Sequence, residues 1–293
     1  DDGGEKPGMI VPVGGTNLVA VDLQPGEQVK ASRPHDITLH AVGEKDRAKG
    51  GATREWIFGL RDFAAYRDAP VAVSPAPKGT IFRVGVKKKI GIEQSIAVHA
   101  KDGSVVEKFP VVGLEKKTVT ISIRPVMVKA PGGKGYRDHG KPNPVVADIL
   151  TQMNVVWHPQ ANVVFALNSK TPLELDALPD TVNIDDKDMK ALFKAAKDLR
   201  SKYTFFLVKQ VSSGGGDDNG AAEVEIGIAL LADRRRATTA AHEAGHLMGS
   251  TSGPTGRMDY GHPTTAEDRL MRSGGSAWKV TFDEAITFFN GNY

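Results

Sequence analysis

The hydrophobic pattern of the chain changes once, near Gly113–Lys117, and that change constrains the fold more than any single motif. Before it, from Met9 onward, short β-type runs are broken by turn residues: Leu18–Leu23, Ile37–Val42, Ile81–Val86 and Ser95–His99. Short runs of β-branched and apolar residues at this spacing predict an all-β sandwich over residues 9–115. Residues 1–8 are polar and glycine-rich, which predicts a flexible N-terminus. The most aromatic stretch, Trp56–Tyr66, is read as core packing rather than as a binding face.

Beyond the change, strands and helices alternate, so residues 116–293 read as a second domain that mixes the two. Thr118–Arg124 alternates with period two, and Asn143-Pro144 supplies a helix cap followed by proline at the first helical position. Val145, Ile149, Leu150, Met153, Val156 and Trp157 then share one helical stripe. Asn162–Ala166, Tyr203–Val211 and Val224–Leu231 read as strands, Asp185–Tyr203 as a helix, and Ser212–Gly220 as a mobile Gly/Asp loop. Thr281–Glu284 is a capping box that opens a short helix through Phe288.

Composition excludes several functions. Lys and Arg number 38 against 35 Asp and Glu, a net charge of only +3. Lys87–Lys89 is a solvated strand or turn rather than part of a phosphate-binding face, so nucleic acid is not an expected partner. The spacing of Gly132–Gly135 is wrong for a phosphate-binding loop. No apolar run is long enough for a membrane span. The chain has no cysteine, so a metal site must be built from His, Asp or Glu.

Such a site is written between Ala241 and Gly249, where the sequence reads His242-Glu243-Ala244-Gly245-His246. On a helix over Arg234–Met248, with Asp233 as its N-cap, His242 and His246 stand one turn apart on one face and can reach one ion. Glu243 is rotated by about a hundred degrees from His242, which suits a general base touching water rather than the metal. Zinc fits imidazole ligands without thiolates, and a catalytic zinc keeps three protein ligands and one open position. Gly249 stands where the helix should end and turn. His35, His40, His99, His139 and His158 have no helical partner and read as surface or hydrogen-bonded residues.

His242–Gly249 followed by Leu270-Met271 resembles the metzincin clan of zinc peptidases, whose signature is H-E-x-x-H-x-x-G-x-x-H with a later Met-turn. Ser252 stands where the signature has its third histidine. A loop lengthened across Ser250–Gly261, flexible and roomy in composition, would deliver His262 as third ligand, with Asp259 as the alternative. His262-Pro263 is similar to the serralysin branch, and Met271 would form the structural base of the site. Tyr260 would assist the oxyanion if it follows other metzincins.

The resemblance implies an α+β metzincin-like peptidase domain, in which a strand bordering the cleft, here Val224–Leu231, pairs with an extended peptide. It implies Zn²⁺ as cofactor, a protein or peptide substrate, and a secreted or exported chain whose β domain binds a further partner. The expected function is a zinc endopeptidase with Glu243 as base. The alternatives are a catalytically silent binding or adhesion protein and a zinc hydrolase acting on a non-peptide amide, such as a cell-wall link.

Overall fold

The computed structural model describes residues 8–43, 57–60, 80–141, 146–184, 192, 194, 201–213, 216–249, 251–253, 256–258, 270–271, 280 and 282–290. It is β-rich, with several sheets and few helices, and it divides into two compact units. The units do not follow a single cut in the sequence: the first holds residues 1–117 together with Val155–Val164 and Trp278–Phe289, and the second holds most of the rest.

The first unit is built on two four-stranded sheets. One has the order β1 (Met9–Pro12), β8 (Val105–Leu114), β7 (Ser95–His99), β3 (Gln28–Ala31). The other runs β4 (Ile37–Val42), β6 (Thr80–Val86), β2 (Thr16–Val21), β5 (Ile57–Leu60). Alternate residues along a strand face opposite ways, and one set from each sheet meets in a shared core: Val11, Ile96, Val98, Phe109 and Val111 with Val19, Val21, Ile37, Val84 and Val86. The expected sandwich strands are all present. Trp56 and residues 61–66 of the aromatic stretch lie outside the described residues, as does the N-terminus up to Pro7.

Helix α1 (Val146–Ala161) carries the expected stripe, with Ile149, Met153, Val156 and Trp157 buried. It ends at Asn162, a left-handed residue with φ of 52° whose amide donates to the His158 carbonyl at 2.9 Å. Trp157 meets Phe288 of helix α2 (Phe282–Asn290) edge to face, with ring centroids 5.0 Å apart.

In the second unit the sheet order is β10 (Tyr136–Asp138), β9 (Lys117–Lys129), β14 (Tyr203–Val208), β18 (Ile228–Ala232), β17 (Gly220–Glu223), with β11 (Val163–Ser169) and β12 (Leu173–Leu175) also on β9. β9, β14 and β18 are parallel. Every residue of β14 and β18 is buried, the continuous apolar reading of strands covered on both faces. Leu192 is helical and buried, and the rest of the helix expected over Asp185–Tyr203 lies almost wholly outside the described residues.

Two expectations are corrected here. The segment Ser212–Gly220 is strand over most of its described residues rather than loop. β15 (Gln210–Ser213) pairs with β16 (Gly216–Asp218), and β17 begins at Gly220. Val224–Leu231 is not one strand either, because Val224–Gly227 forms a turn. Gly227 adopts φ of 70°, and a side chain there would strike the Lys202 carbonyl, so glycine permits the tight reversal from β17 into antiparallel β18. The edge strand of the sheet is therefore Gly220–Glu223, and the buried part of the expected strand is one position further in.

Candidate metal centre

The helix that carries the histidines, α3 in order of description, spans Thr239–Gly249 and is shorter than its sequence suggests. Its first turn is fixed by the Thr238 carbonyl, which accepts from the His242 amide at 2.9 Å, and by Thr239 Oγ1, which accepts from the Arg236 amide at 3.0 Å. Asp233 is not the cap. Its Oδ1 instead accepts from the Lys141 amide at 2.9 Å, which holds the segment after β10 against the end of β18. With that carboxylate committed elsewhere, Asp233–Arg234 and Ala237–Thr238 form turns and the helix starts late.

All residues of α3 except half-buried His242 are buried. The helix packs against both β17 and β18, and its apolar positions Ala240, Ala241, Ala244, Leu247 and Met248 are all buried. Glu243 and His246 are only 4% and 5% exposed. Burying ionisable side chains on a helix is costly unless they have partners, and the arrangement collects those partners at one point.

The Nε2 atoms of His242 and His246 lie 3.1 Å apart, with the two rings inclined at 78°. Two imidazole nitrogens on one tetrahedral ion at ordinary bond lengths stand about 3.3 Å apart, so the spacing fits a shared cation. His242 Nδ1 is 2.5 Å from the Leu270 carbonyl oxygen, and because a carbonyl only accepts, Nδ1 carries the proton. The Nε2 of a neutral His242 is then a lone pair. A histidine that ligates a metal is oriented by a hydrogen bond of this kind. Glu243 completes the group, and one ligand atom from each of the three residues lies within 4.8 Å of the others. His242, Glu243 and His246 are thus close enough to hold a metal ion, and their donor set of two imidazoles and a carboxylate suits one.

The remaining expected residues fall as follows. Met271 is fully buried beside Leu270, the residue whose carbonyl holds His242. Gly249 is the buried last residue of α3, where the helix is expected to end, and it is not among the glycines with positive φ. Within the stretch after it, β19 (Thr251–Gly253) pairs with β20 (Gly256–Met258), with Ser252 opposite Arg257. Thr251 lies opposite Met258, so the chain returns to the end of the helix within eight residues. Asp259, Tyr260 and His262 lie outside the described residues.

One participant has no sequence signal. Gly220, at the start of the edge strand, lies against the Glu243 carboxylate: a Cβ built on it would stand 2.9 Å from Oε1. Only the close approach of strand to helix reveals it, because glycine in a Gly- and Asp-rich stretch reads as a turn.

Among the other histidines, His35 and His40 are exposed, while His99 Nδ1 meets the Gly103 carbonyl at 3.1 Å. His139 is buried. Its Nδ1 accepts from the Lys209 amide at 3.2 Å and its Nε2 donates to the Pro179 carbonyl at 2.9 Å. Burial holds its pKa below the ordinary imidazole value; the Pro179 hydrogen bond and Asp180 act against this, and Lys209 and Arg137 add to it.

No helix among the described residues is long and apolar enough to cross a membrane. No family model matches the chain, and no curated protein is similar to it in sequence.

Proposed function

We propose that the chain is a zinc-dependent endopeptidase of metzincin type. The observation that carries this reading is the convergence of His242 and His246 at 3.1 Å while the Leu270 carbonyl, next to buried Met271, holds the far side of His242. A chance H-E-x-x-H on a surface helix would have neither the buried setting nor the supporting carbonyl.

His242 and His246 hold the ion, and zinc is the choice that imidazoles without thiolates favour. His262 completes the set, with Asp259 as its rival. The hairpin supports such a detour, since after Met258 the chain is back at the helix end, one residue from Asp259 and four from His262. When bound, zinc supplies Lewis acidity, which makes water a nucleophile near neutral pH and polarises a carbonyl.

The protein's own groups do the rest. Glu243 takes the proton of the attacking water and delivers it to the leaving amine, so it must stay within hydrogen-bond reach of both. β17 ends the strand order of its sheet, and an extended peptide can add to such an edge through backbone hydrogen bonds. Gly220, Ala221, Ala222 and Glu223 are all partly exposed there, and the small side chains leave the backbone approachable. In this reading, backbone groups of the edge strand share in stabilising the oxyanion.

The test is cleavage of a diverse peptide mixture by the zinc-loaded protein and by Glu243→Ala at matched zinc content. The expected outcome is cutting by the wild type and a loss of about 10²- to 10⁴-fold in the variant. Equal cutting by both would remove Glu243 from the chemistry.

A further inference from the structure

We propose that Gly220 is a positioning residue that confines the Glu243 carboxylate between the edge strand and the helix; this rests on reading Glu243 as the base. A carbon added at Gly220 would meet three atoms below normal contact distance: Thr239 Cγ2 at 2.8 Å, Glu243 Oε1 at 2.9 Å and the Leu230 carbonyl oxygen at 2.9 Å. Gly220 is not among the glycines with positive φ, so its backbone conformation is open to any residue. Space, not conformation, demands glycine at this position.

The three neighbours differ in what they can do. The Leu230 carbonyl belongs to a buried strand paired in register with β17, where Gly220 lies opposite Leu231 and Ala221 opposite Leu230. Thr239 Cγ2 sits on the first turn of α3, whose Oγ1 is tied to the Arg236 amide. Both are anchored by backbone hydrogen bonds. Glu243 reaches the contact through three side-chain torsions, so its carboxylate is the group that a methyl group at Gly220 would displace with the least movement of the backbone.

The same contact acts in the native protein as a wall. A glutamate free to sample its rotamers would be aligned with a reacting water only part of the time, and a base is effective only when its supporting shell fixes it. Gly220 brings the strand backbone directly against Oε1, which a residue with any side chain could not do. The edge strand would therefore have two duties at adjacent residues, receiving a peptide along Ala221–Glu223 and setting the base at Gly220.

The experiment uses wild type, Gly220→Ala, Glu243→Ala and the double variant. Thermal unfolding is measured on the metal-free proteins and needs no activity. Gly220→Ala is expected to lower the midpoint in both backgrounds, because the Leu230 carbonyl and Thr239 remain, and by less where Glu243 is already Ala, because the carboxylate it strikes is gone. Folding only in the Glu243→Ala background would say the same. Equal losses in both backgrounds, or failure to fold in both, would overturn the proposal and place the clash at Leu230 or Thr239.

Kinetics on the zinc-loaded proteins supply the second readout. Gly220→Ala is expected to lower kcat by about 10²-fold with zinc content unchanged. KM should stay within about twofold. Combined with Glu243→Asp, whose shorter carboxylate retreats from the methyl, Gly220→Ala should cost little beyond Glu243→Asp alone. A raised KM at unchanged kcat would assign Gly220 to substrate binding and overturn the positioning role. If the wild type cuts no peptide, the peptidase reading falls, and the unfolding cycle still decides whether Gly220 holds the carboxylate.

Discussion

His139 and the His242–His246 pair belong to the same unit, yet their ring nitrogens are used differently. At His139 both nitrogens are taken by backbone groups, the Lys209 amide on Nδ1 and the Pro179 carbonyl on Nε2. The ring is a neutral tie between three segments of chain. At His242 the Leu270 carbonyl meets Nδ1, and Nε2 faces the Nε2 of His246. Burial alone therefore says little about a histidine. What separates a tie from a ligand is whether a lone pair is left pointing at another donor, and here one helical turn creates that meeting.

The comparison breaks most readily at His246. His246→Ala should lose stoichiometric zinc. Zinc at about a hundred times its Kd adds about 2.7 kcal/mol to the wild type, and the variant should show no such rise in Tm. Zinc stabilisation equal in both would mean that the ion sits elsewhere.

Next in size is Met271→Ala. Removing a fully buried Met should cost about 2–5 kcal/mol by cavity formation. Because Leu270 is its neighbour and holds His242, zinc affinity should also fall by about 10- to 100-fold. A titration showing stability lost and zinc affinity intact would reduce Met271 to core packing.

His139→Ala should move the other way. Leaving the Lys209 amide and the Pro179 carbonyl unsatisfied should cost about 1–3 kcal/mol, with zinc affinity and peptide cleavage unchanged. A zinc affinity that falls with it would merge the two histidine environments that the comparison holds apart.

The smallest effect is in pH. Burial lowers the His139 pKa in the folded chain below the ordinary imidazole value of about 6.5, so the unfolded chain takes up a proton first as pH falls. The stability that neutral His139 confers is complete above that unfolded value and is lost as pH drops below it toward the folded pKa. Melting curves of metal-free wild type and His139→Ala between pH 7.5 and 5 should converge as pH falls. Parallel curves would show that His139 does not titrate differently in the two states.

Much of this was legible in the sequence where a pattern repeats. The strands of the first unit and the stripe of α1 follow from period-two and helical spacing, which burial of one face enforces. His242, Glu243 and His246 are recognisable because one helical turn converts sequence spacing into proximity. Illegible were the contacts that only tertiary structure decides. Asp233 looked like a cap but is drawn to the Lys141 amide, and Gly227 split a run of strand-forming residues by turning the chain. Ser212–Gly220 has loop composition yet pairs into strands, because neighbouring strands supply hydrogen bonds that propensity does not count. Gly220 is the extreme case, since glycine has no side chain to declare a role.

The most direct measurement is an anomalous difference map at the zinc edge from crystals of the zinc-loaded protein. The account predicts one peak about 2.0–2.1 Å from Nε2 of both His242 and His246, with the Leu270 carbonyl still on His242 Nδ1. A peak on other residues, or none at this pair in a crystal that binds zinc elsewhere, would contradict it.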